Sequence, residues 1–198
     1  MPLQIFRRGS LIAAFYSSLI VLVQILAIAT SWTAEIEGIH FADAYRTQAT
    51  ILPLKGVGLA RYLRTIKVYA AALYVEKNVK AEDLLSDVPK RLELQYFRAL
   101  SGPDFGKAAE EVMAGTVPKA QLASLRPRID RLHALYEDIK PGDRYSLTYI
   151  PGVGTELALN GQPKGTVEGA DFAAAYFAIW LGSKPISESL KAQMLENH

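Results

Sequence analysis

Asn160-Gly161, reached through the alternating apolar residues Leu157 and Leu159, is a hairpin signal. Both central positions of a type I′ turn take positive φ, which asparagine and glycine tolerate. Upstream, Tyr145, Leu147 and Tyr149 alternate in the same way, and Pro151-Gly152-Val153-Gly154 turns the chain. A meander follows, with Gly165 to Gly169 continuing it. An antiparallel sheet is therefore the frame around which the remaining elements must fit.

Further strands are predicted towards the N-terminus. Ile36, Gly38, His40 and Phe41 read as a first strand and a turn. A short strand is expected at Thr50 to Leu54, which Lys55-Gly56-Val57-Gly58 should break. From Tyr62 to Glu76 the β-branched and aromatic residues favour one long strand or a strand pair, despite the alanines at 70 to 72. Leu92 to Phe97 alternates and adds another. Ser101-Gly102-Pro103-Asp104 can open a helix, with Phe105, Ala108, Ala109 and Val112 on one face. Leu122, Leu125, Ile129, Leu132, Tyr136 and Ile139 predict an amphipathic helix that Lys140-Pro141-Gly142 stops. Asp171 to Leu181 predicts an apolar helix ended by Gly182, and Pro185 opens a last one towards Leu195. The order is that of an α+β fold, an antiparallel sheet covered by helices.

Ahead of this domain, Arg7 and Arg8 precede an uncharged apolar run from Leu11 to Thr30. That order is the mark of an export signal, and Ala27-Ile28-Ala29 places small residues where a peptidase would cut. About 20 residues at 1.5 Å per residue would equally cross a hydrocarbon core of roughly 30 Å. Residues 1–29 are thus read as a signal peptide or an N-terminal membrane anchor, and 30–198 as one domain in a periplasmic or other extracytoplasmic location. Any membrane association would run through the N-terminal segment.

The chain carries 22 Lys+Arg against 20 Asp+Glu, and the excess resides in Arg7 and Arg8. The basic balance therefore says nothing for nucleic acid as a partner. With no cysteine, disulfides, thiolate nucleophiles and cysteine metal sites are excluded. His40, His133 and His198 form no metal-ligand pattern, and surface or loop positions are expected for all three. No nucleophile elbow, phosphate loop or dinucleotide fingerprint is present, so no cofactor is implied. Glu168 and Asp171 stand at the junction of meander and helix, where Asp171 suits the first turn and its dipole. Phe177 and Trp180 read as core residues ahead of ligand contacts, with a place in a cleft wall as the other reading.

The stretch LNGQPKGTVEGADFAAAYFAIWLGSKPISESLKAQML, Leu159 to Leu195, resembles the chalcone-isomerase-like family, in particular its exported bacterial members. GVGLARYLRTIKVYAAALYVE, Gly56 to Glu76, resembles the family's arginine-bearing strand and the stretch after it. The resemblance covers Glu35 to Leu195. It implies an open-faced β-sandwich, in which a large antiparallel sheet and a layer of helices enclose a cleft. In the plant enzymes the cleft closes a chalcone into a flavanone; in related non-catalytic members it holds a fatty acid.

Carried over residue by residue, the family's arginine matches Arg61, with Arg64 as the fallback, against the plainer reading of a solvated strand-start arginine. A guanidinium can give two hydrogen bonds to one carboxylate. The threonine position holds Tyr69, a departure that resembles the fatty-acid-binding branch; a core tyrosine is the other reading. The catalytic tyrosine and asparagine positions hold Phe105 and Val112, neither of which can orient a water or a ketone. The late hydroxyl falls near Ile179 and Trp180, and Thr166 and Ser183 do not match it. The resemblance thus implies a pocket for an amphipathic anion such as a fatty acid, held by Arg61 and Tyr69. A chalcone-isomerase-type lyase using Arg61, and a membrane-associated accessory interaction protein, are the alternatives.

Overall fold

A computed structural model describes residues 33–47 and 50–196. The segment read as signal or anchor, its boundary at Ala29, and His198 lie outside the described residues.

Strands β1 (Thr33–Ile36) and β2 (Ile39–Ala42) pair as a small hairpin. Its turn holds Glu37 and Gly38 at φ of 53° and 77°. Seven further strands form one antiparallel sheet in chain order: β3 (Ala44–Arg46), β4 (Ile51–Tyr62), β5 (Ile66–Val75), β6 (Lys90–Tyr96), β7 (Arg144–Ile150), β8 (Gly154–Leu159) and β9 (Gln162–Val167). Helices α1 (Gly102–Thr116) and α2 (Lys119–His133) lie between β6 and β7, and α3 (Ala170–Leu181) and α4 (Glu188–Leu195) follow β9. The α+β reading holds. The meander turn holds too, with Asn160 and Gly161 at φ of 50° and 78°.

Strand alternation divides the core between two faces. Tyr69, Ala71, Leu73 and Val75 of β5 join the helices in the larger core. Ala70, Ala72 and Tyr74 face the other way and meet Ile39 and Phe41 of the small hairpin. The three alanines are fully buried in a strand covered on both faces, which explains their small size.

Three boundaries differ from the sequence reading. Strand β4 continues through Lys55-Gly56-Val57-Gly58, with no more than a bulge at Lys55 where its register against β5 shifts. These glycines admit α4: a Cβ on Gly56 would lie 2.6 Å from the Met194 carbonyl oxygen, and one on Gly58 2.8 Å from Leu190 Cδ1. Helix α2 ends at His133, short of Ile139, because the following residues have other partners. Ile139 and Leu100 exchange backbone hydrogen bonds of 2.9 and 3.2 Å, and Asp138 accepts from the Gly102 N–H at 2.8 Å. The last helix begins at Glu188 and not at Pro185, with Ser187 Oγ accepting from the Leu190 N–H at 3.2 Å.

Residues 62–76 are the end of β4, a three-residue loop and β5, the strand pair among the two readings offered. In that loop Leu63 and Arg64 take φ of 48° and 62°. Left-handed backbone costs an L-residue roughly 1–2 kcal/mol, part of which glycine avoids. Arg64→Gly is expected to stabilise by roughly 0.5–1 kcal/mol. Thermal unfolding should show a rise of about 1–4 °C, and an unchanged or lower midpoint would show that the side chain offsets the strain.

Candidate ligand-binding site

A cavity of about 280 Å³ lies between the sheet and the helices, at the end of the sheet where β5 begins and β6 ends. Tyr69 of β5 and Tyr96 of β6 form its floor, Phe105 and Ala109 of α1 one wall, and Tyr176 and Trp180 of α3 another. The Ser101 N–H and hydroxyl both donate to Asp104 Oδ2, at 3.2 and 2.6 Å, fixing the start of α1 and hence Phe105 one residue on. The floor is set by a bulge. Ala60 pairs with Tyr69 but Arg61 pairs with Lys67, so Val68 is an extra residue on β5, and both Val68 and Tyr69 line the cavity.

The wall is aromatic. Phe105 stacks on Tyr136 with centroids 4.8 Å apart and an interplanar angle of 15°, and Tyr145 meets both rings edge-on. Trp180 Nε1 donates to the Tyr69 hydroxyl at 3.1 Å, leaving that hydroxyl its own proton to give. The Tyr136 and Tyr176 hydroxyls pair at 3.2 Å. Tyr145 donates to the Glu137 carbonyl at 3.1 Å and accepts from its N–H at 2.8 Å, so it is spoken for. The Tyr96 hydroxyl has no hydrogen-bond partner among the described residues.

Burial pushes the Tyr69 phenol up to about 12, and Tyr96 and Tyr176 well above the ordinary range. They are neutral donors at any physiological pH. Among the described residues, no lysine, arginine or histidine lines the cavity. Its one ionisable carboxyl is Asp104 in the first turn of α1, held low by hydrogen bonds from Ser101 and so ionised.

The structure separates the two expected head-group residues. Tyr69 is in the floor, whereas Arg61 lies on the opposite face of the sheet, where its Nη2 meets Glu37 Oε1 at 3.0 Å. Lys67 Nζ reaches the other oxygen of Glu37 at 2.6 Å. The bulge is the cause: with regular pairing Tyr69 would oppose Leu59 and share Arg61's face. The fallback, Arg64, is exposed in the β4–β5 loop.

Phe105 is in the wall, and Val112 is half-buried against the core outside it. Ile179 and Trp180 line the cavity, while Phe177 is buried. Thr166 faces a groove on the other side of the sheet, near Tyr45 and Thr148. Ser183 is exposed. Asp171 takes its expected place in the first turn of α3 and binds Arg128 through both oxygens, at 2.7 and 2.6 Å. Arg128 also donates to the Glu168 carbonyl at 3.3 Å.

His40 is exposed on β2. His133 departs from the surface expectation: it ends α2, half-buried beside Tyr136 and Tyr176, with Nε2 enclosed and unpartnered among the described residues. Gly106 makes room for it, since a Cβ there would lie 2.9 Å from His133 Nδ1. Burial lowers its pKa despite Glu110 near Nδ1. No cluster of three or more His, Asp or Glu suited to a metal occurs among the described residues.

Sequence reasoning missed Tyr96, Tyr136 and Tyr176 as site residues. Tyr96 could have been found, because inward strand positions in 69, 96 and 145 all hold tyrosine.

A meandering antiparallel sheet with helices over one face and a ligand-sized interior between them defines an open-faced β-sandwich of the pocket-bearing kind. The chain belongs to the chalcone isomerase-like family, whose sequence model matches residues 33–196. Among solved structures it is similar to a fatty-acid binding protein of Arabidopsis thaliana, at 18% identity and a TM-score of 0.65, over 83% of this chain and 96% of that one. Comparison with curated protein sequences finds no match.

Proposed function

We propose that this protein binds a small, uncharged amphipathic molecule in the cavity and holds it without converting it. The observation that carries the reading is a wall of aromatic and aliphatic side chains, with phenol donors and, among the described residues, no cation. At roughly 30 Å³ per small group, about 280 Å³ admits on the order of ten heavy atoms. The Tyr69 and Tyr96 hydroxyls suit one acceptor on that ligand, a carbonyl or hydroxyl oxygen.

The Arabidopsis thaliana relative, described as fatty-acid binding, supports an apolar ligand. A carboxylate fits less well here, since it would approach ionised Asp104 and, among the described residues, find no cation in the wall to balance its charge. Catalysis of the plant type is disfavoured by Phe105 and Val112 at the positions matched to the tyrosine and asparagine. An extracytoplasmic location, free or tethered through residues 1–29, belongs to the same proposal and rests on sequence alone.

Thermal unfolding with 1-decanol and with decanoate tests the reading. Saturation at 100 times Kd stabilises by about 2.7 kcal/mol, a midpoint rise of roughly 5–11 °C. Decanol is expected to give a rise of this order and decanoate at pH 8 much less. Ala109→Leu, which fills the cavity from α1, should abolish the response without loss of stability. An equal response to decanoate that Arg61→Ala removes would overturn the uncharged ligand in favour of the anion.

A further inference from the structure

We infer that the β4–β5 hairpin tip is a docking element for an anionic lipid bilayer, set at the end of the sheet where the cavity lies. Tyr62 and Leu63 at the tip are 61% and 71% exposed, two adjacent large apolar side chains facing water. Single exposed apolar residues are ordinary. What distinguishes the tip is its backbone, because Leu63 and the following Arg64 both hold positive φ, a conformation neither residue type favours. Strain of this kind concentrates where a segment serves function rather than stability.

The surrounding charge fits the same partner. Arg61, Arg64 and Lys67 flank the tip, and exposed Arg98 follows Phe97, whose N–H donates to the Val68 carbonyl at 2.9 Å at the same end of the sheet. Against these four cations stand Glu37, which bridges Arg61 and Lys67, and Asp104 in the cavity lining. The segment leading into α4 adds Lys184, and Glu188 opens the helix itself. An apolar tip within a basic collar matches the layered chemistry of a bilayer surface, anionic head groups over acyl chains.

Position adds to the argument. Ile186, 42% exposed, lines the cavity, and Val68 and Tyr69 line it from the first half of β5, just beyond Ile66 and Lys67. The end of the sheet that would meet the lipid is thus the end at which the cavity lies. Docking does not depend on the ligand proposed above, and it supplies a route by which a poorly soluble molecule enters without crossing water.

The chain has no cysteine, so Leu63→Cys in the full-length protein takes a single environment-sensitive fluorophore. Val153→Cys serves as the control: Val153 is also 61% exposed but lies in the β7–β8 turn at the opposite end of the sheet. The label at 63 is expected to brighten and shift to the blue on vesicles of phosphatidylcholine mixed with phosphatidylglycerol, and the label at 153 to stay in water. The N-terminal segment, common to both proteins, does not affect this comparison. Arg64→Glu with Arg98→Glu should cut the docked fraction roughly tenfold or more, as should phosphatidylcholine alone. A label at 63 that remains in water, or equal responses at 63 and 153, overturns the inference. So does a response indifferent both to the lipid charge and to the two substitutions.

Discussion

Gly56→Val is expected to unseat α4 and cost roughly 3–6 kcal/mol. Its Cβ would stand 2.6 Å from the backbone carbonyl oxygen of Met194, and no rotamer change can relieve a clash with backbone. The helix must lift, and Leu190 and Met194, both fully buried, lose their seat. Burying each such side chain contributes about 1.5–3 kcal/mol, which sets the size of the effect. The Leu59 N–H also loses its bond to Gln193 Oε1, 3.0 Å long. Because Ile186 precedes α4 and lines the cavity, the thermal response to decanol should disappear with the stability. Urea unfolding measures the loss, and Gly115→Ala is the control, since a Cβ at that exposed helical position meets nothing within 4 Å. A Gly56→Val protein within 1 kcal/mol of the parent would show that β4 and α4 can separate freely.

Lys90→Met is expected to raise stability at pH 7. Lys90 is fully buried on β6, its Nζ donating to the Ser86 carbonyl at 2.8 Å and lying 4.6 Å from the Tyr149 ring centroid. Desolvation pulls its pKa down from 10.5 to about 8, only partly opposed by Asp87. In the unfolded chain the amine titrates near its ordinary value. Between about pH 8 and 10.5 the unfolded state therefore binds the extra proton, and the parent gains stability as pH rises through that window. Below it the folded protein carries the whole penalty of a buried charge. The gap corresponds to roughly 3 kcal/mol, of which the lost hydrogen bond and ring contacts return a part. A net gain of about 1–2 kcal/mol at pH 7 is expected, shrinking towards zero or reversing above pH 10. Denaturant unfolding of both proteins from pH 6 to 10 reads the difference. Parallel profiles, with Lys90→Met the weaker throughout, would mean that the charged amine is held favourably.

Local chemistry made much of this fold readable in advance. Asn160-Gly161 specifies its turn because few residues accept two positive φ values in succession, and Ser101 to Asp104 marks a helix start through bonds only four residues wide. Gly56 and Gly58 misled for the opposite reason. Their meaning lies with α4, more than 130 residues away, and glycine in sequence does not say whether it turns a chain or admits a neighbour. The periodicity through Tyr136 and Ile139 was real as apolar spacing, yet those residues join the cavity wall and pair with Leu100 outside any helix.

At the site, Tyr69 could be picked out and its relation to Arg61 could not. One bulged residue, Val68, moves Tyr69 to the other face of the sheet, and no residue preference announces it. The phenols of Tyr96, Tyr136 and Tyr176 come from three separate stretches of chain, so only the folded arrangement makes them one surface.

The pairing of α4 with β4 also bears on the order in which the protein assembles. Strands β3 to β9 each pair with the neighbour next in the chain, so the sheet can grow hairpin by hairpin, with α1 and α2 inserted at one join. The contact between Leu59 and Gln193 instead closes a loop of 134 residues, and its entropy is lost only when the last helix has been made. During synthesis, strands β3 to β6 are complete long before that helix exists. The face of β4 that Gly56 and Gly58 keep clear therefore stays uncovered until α4 has been made, and Ile186, just ahead of that helix, is the last of the cavity's lining residues to be synthesised.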